Sequence, residues 1–231
     1  MKISPRVASG ISVFAWVMAA VGTVVGQVHA LARFVEHPND LVESPVTRLW
    51  AVPATQALQP LLDWSDPWTV YVTYGKIWTP VCVAFLAAAY LVYRQRRPAG
   101  AERRLWQVQL GAYAAMTVSV VGDYFTPWWM EQFFVFGIAA MLVIGFGGVG
   151  LGIVMLRNGF RPRVTPVLLT IFIPFLFAIT SVTSLGSALL PLMWGWALAA
   201  QAVVDREPAR TRRAAARDGG PKQVLGRTAG R

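Results

Sequence analysis

The stretch VTPVLLTIFIPFLFAITSVTSLGSALLPLMWGWALAAQAVV, residues 164–204, carries no charged side chain. It is about twice as long as one membrane-spanning helix requires, since a hydrocarbon core takes roughly 20 apolar residues. Thr183-Ser184-Leu185-Gly186-Ser187, near its middle, is a cluster of turn formers. The stretch therefore reads as two helices joined by a tight turn, and the competing reading is one long helix with a tail.

Four further apolar segments precede it, at residues 11–34, 70–93, 105–125 and 133–156, and the split adds 164–182 and 187–204. The whole chain has the same character. Of its 231 residues 55% are hydrophobic and only 14% charged, against about 25% charged in soluble domains. The mean hydropathy is +0.49. A soluble enzyme, a nucleic-acid module and a disordered chain are excluded on this composition, and the net charge of +10 must be read by its distribution.

That distribution separates six spans from five. Lysine and arginine gather in cytoplasmic loops. Lys2 and Arg6 precede the first span, Arg94, Arg96, Arg97, Arg103 and Arg104 follow the second, and Arg157, Arg161 and Arg163 follow the fourth. The tail opens with Arg206, Arg210, Arg212 and Arg213. The remaining connections hold mainly Glu36, Asp40, Glu43, Asp63, Asp66, Asp123 and Glu131, with Arg33 and Arg48. Six spans with both termini cytoplasmic put every basic cluster inside, whereas five would put the arginine-rich tail outside. The expected fold class is thus an all-α polytopic membrane bundle of six helices. It comprises a spanning domain over 1–205, an outer interfacial segment at 35–69 and a basic, disordered cytoplasmic tail at 206–231. A plasma (cytoplasmic) membrane is the expected location. The first span also resembles a signal peptide, with Val28-His29-Ala30 or Ala30-Leu31-Ala32 as cleavage sites. Its apolar core exceeds the usual 7–15 residues of such segments, which favours an uncleaved anchor.

Local chemistry refines the picture. Ser44-Pro45, Asp66-Pro67, Thr126-Pro127 and Thr165-Pro166 each set a capping side chain before a proline suited to the first helical turn. Leu49, Trp50, Leu58, Leu61 and Leu62 give the outer segment an apolar side to lay on the membrane surface. Trp50, Trp64, Trp68, Trp78, Trp128 and Trp129 belong at the outer interface, where amphipathic rings collect. Pro80, Pro174 and Pro191 fall inside spans and should kink them.

Most motifs resolve into packing. Gly145-Phe-Gly147-Gly-Val-Gly150 matches a dinucleotide fingerprint by letter, but it lacks the preceding strand and the acidic residue about 20 positions on. Gly148 with Gly152, and Gly22 with Gly26, read instead as small-residue pairs that let helices approach closely. One cysteine and two histidines offer no zinc, di-iron or bis-histidine haem site, and no metal or cofactor is expected. No aromatic residues interleave the basic tail, so nucleic acid is not expected as a partner. The arginine loops suit anionic lipid heads, and a protein partner or homo-oligomer is compatible with the glycine and tryptophan surfaces.

Ionisable residues within spans are the functional candidates. At 1.5 Å per residue, His29, Lys76 and Asp123 each lie roughly 26–27 Å from the cytoplasmic start of their spans, just inside the outer edge of the core. Gly22, Gly26, His29 and Arg33 form one helical stripe, and Asp123 shares a face with Ser119, Met116, Ala115 and Ala112. The expected site is an outer-leaflet polar pocket of His29, Arg33, Lys76, Asp123 and Tyr124, with Lys76 and Asp123 paired. The competing reading is structural: end-of-helix charges that snorkel, or an ion pair that ties two spans together. The leading functional expectation is a non-catalytic membrane protein, an accessory subunit or a ligand- or partner-binding protein whose site faces outward. A small secondary transporter or channel-like protein is the alternative. Third comes a membrane enzyme in which His29 acts as base on a lipid-linked substrate.

Overall fold

The structure, a computed structural model, describes residues 3–40 and 45–218, with side chains described as far as Arg206. Every regular element among these residues is helical. In chain order they are α1 (Pro5–Glu36), α2 (Pro45–Ala57), α3 (Gln59–Leu62), α4 (Pro67–Gly75), α5 (Trp78–Arg96) and α6 (Gly100–Phe125). A 3₁₀ turn at Pro127–Trp129 leads into α7 (Met130–Arg157), followed by α8 (Val164–Thr170) and α9 (Phe172–Thr180). A second 3₁₀ turn at Leu185–Leu189 leads into α10 (Leu190–Asp218). Four stretches are long and apolar enough to cross a membrane: Pro5–Glu36, Pro67–Arg96, Pro127–Arg157 and Leu185–Arg206.

These elements form six arms: α1, α4 with α5, α6, α7, α8 with α9, and the second 3₁₀ turn with α10. Arms consecutive in the chain run antiparallel, and so do α1 and α10. Ser12 bonds Gln201 near one end and Gln27 bonds Ser187 near the other. Likewise Phe85 packs on Tyr113, while Arg96 meets Glu102. The start of α1 and the later part of α10 therefore lie at the same end, together with Arg96, Arg161 and Arg206.

Interior proline explains why some arms are broken. A proline has no N–H, and its ring clashes with the carbonyl four residues earlier. Pro80 breaks the second arm at Lys76–Ile77, and Pro174 breaks the fifth at Ile171, just after Thr170. Pro191 follows the 3₁₀ turn that contains Ser187. Each break sits at or beside the i−4 position.

Small residues set the packing of α1. Its buried positions Ala8, Ser12, Ala15, Ala19, Gly22, Gly26 and His29 alternate by four and three, the spacing of a coiled-coil seam. In α7, Gly148 and Gly152 face α8. A Cβ on Gly148 would stand 3.4 Å from Leu169, whereas one on Gly152 would stand 2.6 Å from the Pro166 carbonyl. At the centre Trp106, Tyr113 and Trp196 are fully buried. Tyr113 hydroxyl accepts from Gln109 Nε2 at 2.9 Å and from Trp196 Nε1 at 3.2 Å. Val13, Val24, Leu142, Phe146 and Phe177 stay exposed on the outside, an apolar exterior suited to lipid.

Several local expectations need correction. Asp66 does cap α4, accepting from the Thr69 N–H at 3.0 Å. Thr165 does not cap α8; its hydroxyl crosses to the Gly195 carbonyl at 2.6 Å. Thr126 likewise donates to the Gly122 carbonyl. Ser44, together with residues 41–43, lies outside the described residues. In the outer segment Leu49 and Leu61 are exposed, but Leu62 is buried and Trp50 donates to the Val182 carbonyl at 2.6 Å. The apolar side of this segment is thus shared between protein and exterior. The tail expected from residue 206 begins as helix, because α10 continues to Asp218; residues 219–231 lie outside the described residues.

Candidate functional site

His29, at the outer end of the α1 seam, is 5% exposed. Its Nδ1 is 3.1 Å from Trp78 Nε1, and its Nε2 is 3.1 Å from the Tyr124 hydroxyl. An indole N–H can only donate, so Nδ1 is the acceptor. The neutral ring then carries its proton on Nε2 and donates it to Tyr124. Tyr71 stacks on the imidazole, with centroids 5.0 Å apart and planes 18° apart.

Glycine makes room for this clamp. A Cβ at Gly26 would stand 2.8 Å from the Trp78 ring. One at Gly75 would overlap the Tyr124 ring. The glycine stripe beneath His29 therefore serves the site as well as the helix interface.

Above the clamp, α1 carries Arg33, whose Nε donates to Asp40 Oδ2 at 2.8 Å. From α6 comes Asp123, 9% exposed. No hydrogen bond or ion pair engages the Asp123 carboxylate among the described residues. Arg33 is close enough to act on it electrostatically.

Two cavities meet at these residues. An inner cavity of about 100 Å³ reaches His29, Trp78, Tyr124 and the Ser184–Gly186 turn. An outer one of about 490 Å³ is bordered by His37, Trp128 and Glu131. Arg33, Tyr71, Asp123 and Phe134 line both, so together the cavities make a funnel with these four at its neck. The turn that closes the inner cavity is tied to α1, for Gln27 donates to Ser187 at 3.2 Å and accepts from Thr183 at 3.1 Å.

The structure thus brings together His29, Arg33, Asp123 and Tyr124. Lys76 is the correction. It is exposed, and its Nζ lies 5.5 Å from the Phe125 ring centroid rather than on Asp123. The ion pairs among the described residues are Arg33–Asp40 and Arg96–Glu102. Lys76 shares its helical face with exposed Thr73 and Val83, whereas Tyr71, Trp78 and Cys82 enter the site from the opposite stripe of the same arm, so the lysine stands on the face turned away from the bundle. Trp78 is a second correction: it is 4% exposed and walls the site instead of anchoring the interface. Tyr71, Phe134 and Asp40 were missed, although Tyr71 lies at the depth of His29 and Asp40 follows Arg33 by two helical turns.

The arrangement suits binding better than proton transfer. Both nitrogens of His29 are engaged, so the ring offers no free lone pair to a substrate. Among the described residues no group of three or more histidine, cysteine, aspartate or glutamate side chains could hold a metal ion. No protein-family model matches the chain, and no match is found among curated proteins or solved structures.

Proposed function

We propose that the chain is a six-span protein of the cytoplasmic membrane, with both termini on the cytoplasmic side, that binds a small ligand through a funnel open to the outer face. One observation carries this reading: the Asp123 carboxylate, nearly buried, lines both cavities and has no side-chain partner among the described residues. A buried carboxylate without a partner is costly, and a ligand that brings a positive or hydrogen-bond-donating group removes that cost. The outer connections add an attracting field, since Glu36, Asp40, Glu43, Asp63, Asp66, Asp123 and Glu131 outnumber Arg33, Arg48 and Lys76.

A non-catalytic role is favoured over the enzyme reading by the double engagement of His29. It is favoured over transport by the plug beneath the funnel, where Trp106, Trp196, Tyr113 and Gln109 are each 0% exposed and leave no path onward.

The full chain, purified in mild detergent, tests the reading in a thermal-shift screen of small amines and amino compounds, run beside Asp123→Asn. Stabilisation of the wild type that Asp123→Asn abolishes supports the funnel. Stabilisation indifferent to Asp123, or a stoichiometric co-purifying protein seated over the mouth, overturns the small-ligand reading. For topology, a reporter active only in the cytoplasm should work when fused after Val204 and be silent near Asn39. The reverse result would overturn the orientation.

A further inference from the structure

A third cavity, of about 210 Å³, lies at the opposite end of the bundle, and Arg96, Arg161 and Arg206 line it with Gln95, Phe160 and Val203. No acidic side chain belongs to its lining. The three arginines come from distant parts of the chain: the last turn of α5, the connection after α7, and α10. Gly159, with φ of +65°, turns the chain out of α7 so that Phe160 and Arg161 come back over the cavity.

The carboxylates nearby are already committed. Glu102 takes a two-pronged contact from Arg96 and a 2.6 Å bond from Asn158. Asp205 accepts from Gln201 at 2.9 Å. Arg206 instead donates to the Arg161 backbone carbonyl at 3.0 Å. Arg161 and Arg206, both exposed and neither paired with a carboxylate among the described residues, thus border one small cavity. Like charges gathered in this way repel unless an anion lies between them. The planar fork of arginine matches phosphate oxygens. Phe160, Val92 and Val203 supply an apolar wall beside the guanidinium groups.

We infer that this cavity binds a phosphate group, that of an anionic phospholipid in the cytoplasmic leaflet, between Arg161 and Arg206. Basic pockets between helices on the cytoplasmic side take such headgroups. The phosphate site itself does not depend on the outer funnel; only its leaflet follows from the proposed orientation.

Native mass spectrometry of the full chain in detergent, titrated with phosphatidylglycerol or phosphatidylcholine, tests it. The wild type should retain one phosphatidylglycerol per chain in preference to phosphatidylcholine. Arg161→Gln with Arg206→Gln should raise the apparent Kd about tenfold or more, as expected when charge-assisted hydrogen bonds are lost. Arg103→Gln with Arg104→Gln removes the same charge from exposed positions outside the cavity and should keep the wild-type affinity. Arg161→Lys with Arg206→Lys preserves charge without the fork and should bind with intermediate affinity, which guards against a folding defect in the glutamine variant. Saturable thermal stabilisation by inorganic phosphate, lost in the glutamine variant but without lipid retention, assigns the same site to a free anion. Equal retention by wild type and the glutamine variant, or an equal loss in the exposed-arginine control, overturns the site.

Discussion

Replacing Trp78 with phenylalanine isolates the hydrogen bond that fixes His29. The substitution keeps an aromatic ring but withdraws the indole edge that faces Gly26 and Gly186, and it removes the indole N–H that His29 Nδ1 accepts at 3.1 Å. His29 is 5% exposed, so the lost donor can be replaced only by water held in the inner cavity beside it. An unsatisfied buried acceptor costs about 1–3 kcal/mol. At about 2–4 °C per kcal/mol for a chain of this size, the loss corresponds to a fall in Tm of roughly 2–12 °C. Some of any fall will come from the smaller ring, and a double-mutant cycle removes that part. His29→Leu abolishes the acceptor, so Trp78→Phe introduced into that background should cost less by about 1–2 kcal/mol, within the coupling range of contacting residues. Thermal unfolding of the full chain in detergent, for wild type, both single variants and the double, measures the difference. Additivity within about 0.5 kcal/mol would refute the assignment of Nδ1 as a bound acceptor, and with it the argument that His29 has no free lone pair.

Three other outcomes follow from the packing and the charges. Gly152→Ala should destabilise by about 1–3 kcal/mol through overpacking, because its Cβ meets backbone atoms of α8 within 3.0 Å, while a Cβ at Gly148 meets Leu169 and Gln109 at ordinary contact distances of 3.4 and 3.6 Å and Gly148→Ala should cost distinctly less; similar melting temperatures for the two would contradict the α7–α8 register. Lys76→Met and Asp123→Leu should have additive effects on thermal stability, since Lys76 sits by Phe125, and a double variant more stable than either single one would reinstate an ion pair. Hydrogen bonds from Thr69 hold the Asp66 carboxyl below its ordinary value, so the stabilisation it gives α4 is complete above about pH 4 and is lost as pH falls through the lower folded value. The stability gap between wild type and Asp66→Ala should therefore close in acid, and a gap that widens there would contradict the cap.

Hydropathy was sufficient to read an all-helical chain with stretches long and apolar enough to cross a membrane, because lipid-compatible helices leave long uncharged runs. The stripe of Gly22, Gly26, His29 and Arg33 was equally legible, since α1 is continuous and face counting holds along an unbroken helix. At Lys76 depth alone misled: the residue shares its helical face with exposed Thr73 and Val83, whereas Tyr71, Trp78 and Cys82 form the stripe that faces the site. The roles of Trp78 and Tyr71 were hidden for another reason. Tryptophan at a span end is ordinarily an interface anchor, and only the glycine opposite it at Gly26 lets the ring turn inward onto His29. Thr165 shows the limit of capping rules, for its hydroxyl was drawn off by the Gly195 carbonyl of another arm. Arg33 and Asp40 are near neighbours in sequence, yet their bond depends on how the chain turns after Glu36.

The proline breaks divide the bundle mechanically. α1, α6 and α7 run unbroken for 32, 26 and 28 residues and behave as rods, while the other three arms are jointed. His29, Arg33 and Asp123 stand on rods; Tyr71 and the Ser184–Gly186 turn stand on the outer pieces of jointed arms. At the break before Pro80 the ladder keeps the bonds from Lys76 N–H to Val72 at 3.2 Å and from Val81 N–H to Ile77 at 3.4 Å and loses the one that proline cannot donate. Continuous helices thus space the α1 and α6 groups, whereas Tyr71 is placed by its packing on His29 and Tyr124. In the proposed binding role, substitutions along the rods would change the spacing of His29, Arg33 and Asp123, and substitutions at the proline breaks would change how Tyr71 borders the site.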